Sequence, residues 1–392
     1  MKKRVPLVLT IIFLSAFIIF SGIFIYINCS PIKFKDIYGS RSELGDVDLV
    51  FYKDRDLFGE EITVGAETIN RKNVINERRF DGIDVLKDKK FFRGIYPTRY
   101  TFFEDDDVMV DVTNIYGNGI QKLEVRFKDK KTNTYETFKV KVDEYIRNNN
   151  IDKVTYKDGK INILFSMNYE ENNIVFGEIN LSDKKFNIVD IINLDEKLDL
   201  NRDYSHINSV RQKFGMLPST EEDKVYYKLT ELDNTDKRGI YSDESIIELN
   251  VNTREIKRYN PNDEIRDEMK KSYFDANGKG GTMFEAYGEI YITQTSDEKT
   301  SVLVFNTKTK EFKFYKDLIE NERLKRYGVN VRSLSEFIIV ENKVIANFVK
   351  VRDDGFVSGA YLAVIDIPSK NPVYIGELEY GYLSDIKISG GK

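Results

Sequence analysis

One short pattern recurs along this chain, and it restricts the fold more than any other feature. It reads apolar residue, Asn or Asp, two residues, Thr, Ser or Asp, Lys or Arg, one residue, then an apolar residue or Pro. Four segments carry it: Ile179-Asn180-Leu181-Ser182-Asp183-Lys184-Lys185-Phe186, Leu249-Asn250-Val251-Asn252-Thr253-Arg254-Glu255-Ile256, Phe305-Asn306-Thr307-Lys308-Thr309-Lys310-Glu311-Phe312 and Ile365-Asp366-Ile367-Pro368-Ser369-Lys370-Asn371-Pro372. A fifth, Asp129-Lys130-Lys131-Thr132-Asn133, is close, and a sixth, Asn70-Arg71-Lys72-Asn73, is weak. The chemistry is that of a tight hairpin: the Asn or Asp side chain bonds the backbone two residues on, and the Thr or Ser closes the turn. Such turns arise singly in any all-β protein, but copies at a spacing of fifty to seventy residues point to a stack of similar small sheets.

The sequence between the turns supports strands. Lys160–Phe165, Glu289–Thr293, Lys122–Phe127, Phe312–Tyr315 and Phe138–Val142 alternate apolar and polar residues at period two, as in a sheet with one covered face. Together these segments resemble the β-propeller superfamily, whose blades are four-stranded sheets around a central channel. The outer hairpin of many propeller blades reads Asp-x-x-Thr-Gly-Lys; here the glycine position holds Lys184, Arg254, Lys310, Lys370 and Asn133. The resemblance implies an all-β fold of six blades over 46–392, with seven blades as the other count and a pair of β-sandwiches as the other fold. Gly381–Ile388 is expected to join Asp46–Tyr52 and Glu61–Asn70 in one sheet, closing the ring with strands from both ends and leaving no open edge. Short charged helices are expected over Asp263–Lys271 and Asp317–Arg326, and an irregular excursion over Asp199–Lys213.

The N-terminus tells a different story. Val5 to Ile27 is a run of 23 residues without a charge. As a helix it would extend about 35 Å, enough to cross a hydrocarbon core of ~30 Å. Lys2, Lys3 and Arg4 precede it, so residues 1–4 are expected in the cytoplasm, 5–27 as a single transmembrane helix (a signal-anchor), 28–45 as a short tether and 46–392 outside. A cleaved signal peptide would need a small-x-small site, which is missing. A lipidated Cys29 would need a small residue before it, where Asn28 stands. The run of Lys, Asn and Ile is typical of a bacterial, AT-rich coding sequence.

Composition narrows the chemistry. The formal net charge is −5, and this turns against nucleic acid as a partner. Cys29 is the single cysteine, so no intrachain disulfide forms, and the domain must rest on its core. His206 is the single histidine, expected in a loop, which leaves little material for a triad or a zinc site. Glu104-Asp105-Asp106-Asp107 reads as a solvated turn before the strand Val108–Val112, with calcium binding as the sharper alternative. Asp54–Gly59 begins like a calcium loop but lacks its closing acid at Gly65. Gly278–Gly281 and Gly117–Gly119 match no phosphate-binding signature.

The sequence therefore leads to no catalytic, metal or cofactor residue. It leads to a membrane-anchored extracytoplasmic module that binds a protein or glycan, or serves as a scaffold subunit of an envelope complex. A carboxylate-based, glycosidase-like hydrolase of cell-wall or extracellular polysaccharide is the alternative, and two facing carboxylates would be its signature.

Overall fold

The computed structural model describes residues 13–21, 32–53, 59–74, 83, 87–95, 97–98, 100–117, 120–142, 146, 150–165, 172–200, 205–210, 212–214, 223–233, 241–275, 282–330, 334–351, 357–379 and 381–388. Of the expected membrane helix, residues 13–21 are helical, with Phe13, Phe17 and Phe20 exposed. Residues 5–12 and 22–27 lie outside the described residues, as do Cys29, Asp54 to Phe58, and Gly278 to Gly281. The helical stretch spans about 14 Å, less than half a hydrocarbon core. Among the described residues no helix is long and apolar enough to cross a membrane.

The rest is all-β, in two compact units: residues 1–76 with 319–392, and residues 77–318. Among the described residues six sheets make up both, each with four antiparallel strands and two of them with a fifth strand at one edge, an inventory consistent with a β-propeller. In chain order, sheet I contains Val47–Lys53, Gly59–Val64 and Ile69–Val74, and its first strand pairs with the C-terminal Tyr382–Ile388. The expected joining of the two chain ends in one sheet is thus observed. Sheet VI holds Leu334–Val340, Lys343–Val351, Val357–Asp366 and Pro372–Glu379.

Sheet VI also carries a fifth strand, Lys33–Gly39, antiparallel to Pro372–Glu379. This corrects the reading of 28–45 as a tether: most of it is built into the first unit. Just before that strand, Ile32 is fully buried. Its N–H donates to Glu60 Oε2 at 2.8 Å, and its carbonyl accepts from Arg71 Nη1 at 2.6 Å. Within the strand, Asp36 accepts from the Tyr374 hydroxyl at 2.6 Å and pairs with Arg41 at 3.1 Å. Gly39 ends it with φ 71°, where a Cβ would strike the Val373 carbonyl.

The second unit contains sheets II to V. Sheet II is Phe102–Glu104, Val108–Gly117, Ile120–Asp129 and Thr134–Lys141. Sheet III is Ile151–Lys157, Lys160–Phe165, Asn173–Asn180 and Lys185–Asn193. Sheet IV is Ser205–Ser209, Lys224–Asp233, Tyr241–Asn250 and Ile256–Tyr259. Sheet V is Met283–Ala286, Glu289–Thr295, Lys299–Asn306 and Phe312–Glu320, with Gln212–Phe214 added in parallel at one edge. Within this unit sheets II, III, IV and V pack their apolar faces on one another in succession. Val125 and Val110 of sheet II meet Ile161, Ile163 and Phe165 of sheet III. Leu164 and Phe176 of sheet III meet Tyr227, Leu229 and Ile247 of sheet IV, and Ile246 of sheet IV meets Phe305 of sheet V. Strands of this kind stabilise one another by burial at about 25 cal/mol per Å² of apolar surface.

The recurring hairpin joins the last two strands of sheets II to VI. Asn180, Asn250, Asn306, Asp129 and Asp366 each accept backbone N–H groups two or three residues on, at 2.8 to 3.0 Å. Every residue at the glycine position is left-handed: Asn133, Lys184, Arg254, Lys310 and Lys370 have φ between 55° and 64°. The sixth copy is not one. Asn70–Asn73 lies inside the strand Ile69–Val74, and the turn before it is Gly65–Thr68. Two further expectations need correction. Asp199–Lys213 is not merely irregular, since it supplies a strand to sheet IV and one to sheet V. The helix expected over Asp317–Arg326 is only Asn321–Lys325, because Asp317 to Glu320 continue the last strand of sheet V. The helix Asp263–Asp275 extends the expected one by a turn.

Candidate binding cleft

Sheet III has two unlike faces. Alternation puts Ile161, Ile163 and Phe165 against sheet II, so the neighbouring strand positions turn toward sheet IV. Close to one end of that second face the side chains are apolar, Leu164 and Phe176, and are covered by sheet IV. Further along they are polar. Thr155, Asn162 and Glu178 lie in one row across three strands, each directly opposite the next. Lys160 pairs with Glu178 at 3.0 Å from the strand end.

The recurring hairpin of sheet IV roofs this row. Asn250 closes the turn, which directs Asn252 and Arg254 over sheet III. Arg254 is fixed from two sides: its guanidinium lies 5.4 Å from the centre of the Phe176 ring, and Nη1 bonds Asp190 at 2.8 Å. The result is a cleft of about 150 Å³ within the second unit, with Lys153 at its edge. Among the described residues, Thr155, Asn162 and Asn252 find no side-chain hydrogen-bond partner. Both donors and acceptors therefore face the cleft, over a floor that is part apolar.

The residues singled out from the sequence fall elsewhere. His206 is in a strand of sheet IV, opposite Thr230, and not in a loop; its backbone is fixed by the ladder. Of the expected turn Glu104 to Asp107, Asp105 to Asp107 form a turn before Val108–Gly117, while Glu104 ends the strand Phe102–Glu104. Glu104 is held by Lys87 and by Lys130 at 2.7 Å, Asp105 accepts the N–H groups of Asp107 and Val108, and Asp107 pairs with Lys131 at 2.9 Å. Among the described residues no group of three His, Cys, Asp or Glu side chains could hold a metal ion. Gly117 ends a strand of sheet II.

Among the described residues, three carboxyls have raised pKa values, each for reasons of burial. Asp111, 1% exposed, is pushed up to about 6 against the pull of the Thr113 and Thr101 hydroxyls, at 2.9 and 3.3 Å. Burial also raises Glu244, opposed by Lys228 and by the Thr230 hydroxyl, and Asp243, opposed by Arg266 at 3.0 Å. All three are engaged inside their own sheets or by the helix packed on them.

Sequence reading missed the cleft. Asn162 was legible as an outward position of the strand Lys160–Phe165, but outward positions usually meet water. Only the register with Thr155 and Glu178, and the hairpin of the next sheet, turn it into a wall.

No protein-family profile and no curated protein sequence matches the chain. Among solved structures, TolB from Acinetobacter baumannii matches at 9% identity and a TM-score of 0.29, over 87% of this chain. The chain spans 65% of TolB, just under two thirds of its length. The β-propeller domain of the Trilobed protease from Pyrococcus furiosus, described as having an open velcro topology, matches at 8% identity and 0.30, over 88% of this chain and 95% of that one. Polysaccharide lyase Uly1 matches at 12% identity and 0.29, over 82% and 69%. At these identities and scores the matches carry no argument about ancestry, ligand or activity.

Proposed function

We propose that the chain is a membrane-tethered extracytoplasmic module that binds a protein or glycan partner, or acts as a scaffold in an envelope complex. The observation that carries this reading is the grip on the chain just after the apolar run. Ile32 is clamped through both its N–H and its carbonyl by Glu60 and Arg71, and the next seven residues are a strand of sheet VI. An anchor at residues 5–27 would then join the folded unit through residues 28–31 alone. A linker that short permits little reorientation, whereas a flexible chain spreads its end-to-end distance with the root of its length. A unit held this way faces the same layer of the envelope continuously, which suits recognition or assembly.

The hydrolase alternative would need a facing pair of accessible carboxylates; the raised carboxyl of Asp111 is enclosed in sheet II. Two measurements test the proposal. Carbonate extraction should leave the full chain in the membrane pellet, and protease added to the outside of spheroplasts should digest the folded units. Release by carbonate, or protection from outside protease, would refute the tethered topology. Crosslinking from intact cells should recover a partner of fixed stoichiometry. Recovery of none, in repeated trials with no glycan retained, would count against the binding or scaffold role.

A further inference from the structure

We infer that the cleft between sheets III and IV is a binding site for a single neutral sugar ring, free or at the end of a glycan. The size argument comes first. A protein cavity of about 150 Å³ admits a molecule such as benzene, and this cleft has that volume. Because it is open to solvent, it takes one six-membered ring whose substituents project outward, and it is smaller than the pockets that take drug-sized ligands, which begin at about 300 Å³.

The wall chemistry then selects the kind of ring. An apolar ring would strip water from Thr155, Asn162 and Asn252 and give no hydrogen bond in return, which is costly. A phosphate or carboxylate needs donors alone, yet Glu178 stands in the polar row directly beside Asn162. A polyhydroxylated ring meets both requirements. Its hydroxyls donate to Glu178 and accept from Arg254, and they do either with Thr155, Asn162 and Asn252. Its C–H surfaces meet the apolar part of the floor. Arg254 is positioned in advance by Phe176 and Asp190 and offers a planar fork to adjacent hydroxyls. Such preorganisation lowers the ordering cost of binding. For a ligand of a dozen heavy atoms, affinity on the order of 1 mM is expected.

This inference rests on the glycan arm of the proposed function, but it fails separately from it. The purified full chain, in a detergent without a sugar headgroup, is titrated by saturation-transfer NMR. The probes are glucose, galactose, mannose and N-acetylglucosamine, each beside its methyl glycoside, with glucuronate and inorganic phosphate as anions. At least one neutral sugar should saturate, and neither anion should bind more tightly. Equal binding of the methyl glycoside would identify a glycan end as the ligand, and loss of it a free sugar. Asn162→Ala should weaken binding at least about tenfold. Arg254→Lys keeps the charge but loses the fork, and should weaken it several-fold with an unchanged melting temperature. If Asn162→Ala fails to fold, Arg254→Lys decides. No saturation by any neutral sugar up to about 20 mM, preference for phosphate, or binding indifferent to Arg254→Lys would overturn the inference. A chain that proves tethered but binds no sugar overturns this inference alone.

Discussion

Lys310 and Lys184 occupy the same place in the same hairpin. Both are left-handed, with φ 64° and 55°, and both N–H groups donate to the carbonyl of the hairpin Asn, four residues back. Both side chains reach an acid on the preceding sheet: Lys310 reaches Glu248 of sheet IV, and Lys184 reaches Glu136 of sheet II. The surroundings differ. Glu248 is 5% exposed and also meets the Tyr226 hydroxyl at 3.2 Å and Lys224 at 3.6 Å. Glu136 keeps 41% of its side chain exposed, and Lys184 keeps 44%. The backbone strain of a non-glycine residue there is alike in both, about 1–2 kcal/mol. Depth decides what each hairpin receives in exchange: the buried pair locks two sheets, while the exposed pair is screened by water.

The largest expected effect breaks the buried bridge. Lys310→Met removes the cation and leaves Glu248 enclosed beside Lys224 and Tyr226. Orphaning one partner of a buried pair costs about 3–5 kcal/mol, and the two remaining neighbours hold the loss to about 3. Lys310→Gly removes the same cation but relieves the left-handed strain, so it should recover about 1 kcal/mol of that loss. Denaturant melts of both variants measure the difference. If Lys310→Met were as stable as the parent, burial would not be what separates the two hairpins.

Next in size are two carboxyls of the region around sheet II, which sharpen the same point through pH. Burial holds the Asp111 carboxyl up at about 6, above its ordinary value. A raised carboxyl favours the fold when protonated, so its contribution is present at low pH and lost as pH rises through 6. Asp111→Asn should therefore stabilise the chain by about 2 kcal/mol at pH 7.5, with the gain shrinking as pH falls through 6 and vanishing below about pH 4. Asp88 runs the other way. Burial alone would raise it, but Lys128 at 2.6 Å, the Phe91 N–H at 3.0 Å and the Tyr135 hydroxyl at 2.8 Å outweigh burial and hold it down at about 2. Its contribution is present above about pH 4 and lost as pH falls toward 2. Asp88→Asn should cost about 1–2 kcal/mol at pH 7 and nothing at pH 2. Chemical melts across pH 2–8 read both slopes; slopes of the same sign would contradict the account.

How much of this was legible follows from what each feature depends on. The hairpins were readable because Asn180, Asn250, Asn306, Asp129 and Asp366 act on their own backbone within three residues, and local chemistry is written locally. The shared sheet of the two chain ends was readable because Tyr382–Ile388 was a strand left without a partner. Asn70–Asn73 misled because Asn and Lys also suit an exposed strand, and the turn itself is made by Gly65–Thr68. The Lys33–Gly39 strand was hidden by its charges: with Lys33, Lys35 and Asp36 it looks like a linker, and only Tyr374 and Arg41 reveal that Asp36 is held. The basic residues at the glycine position were visible as a departure from the propeller pattern. Their purpose was not, since Glu248 and Asp190 lie more than sixty residues away in sequence. The cleft was hidden for the same reason, being assembled from two sheets.

The smallest effect is also the most discriminating. Exposed ion pairs contribute about 0–1 kcal/mol, and glycine at a left-handed position returns about 1 kcal/mol of strain. Lys184→Gly should therefore leave stability unchanged within about 0.5 kcal/mol, or raise it slightly. Lys184→Met, which keeps the strain and drops the pair, should cost under 1 kcal/mol, and that cost should shrink as salt rises. The lysine at this turn would then be nearly dispensable for stability, unlike Lys310 in the same pattern. A loss of 2 kcal/mol or more in Lys184→Gly would mean that the exposed bridge also locks its sheets, and the distinction by depth would fall.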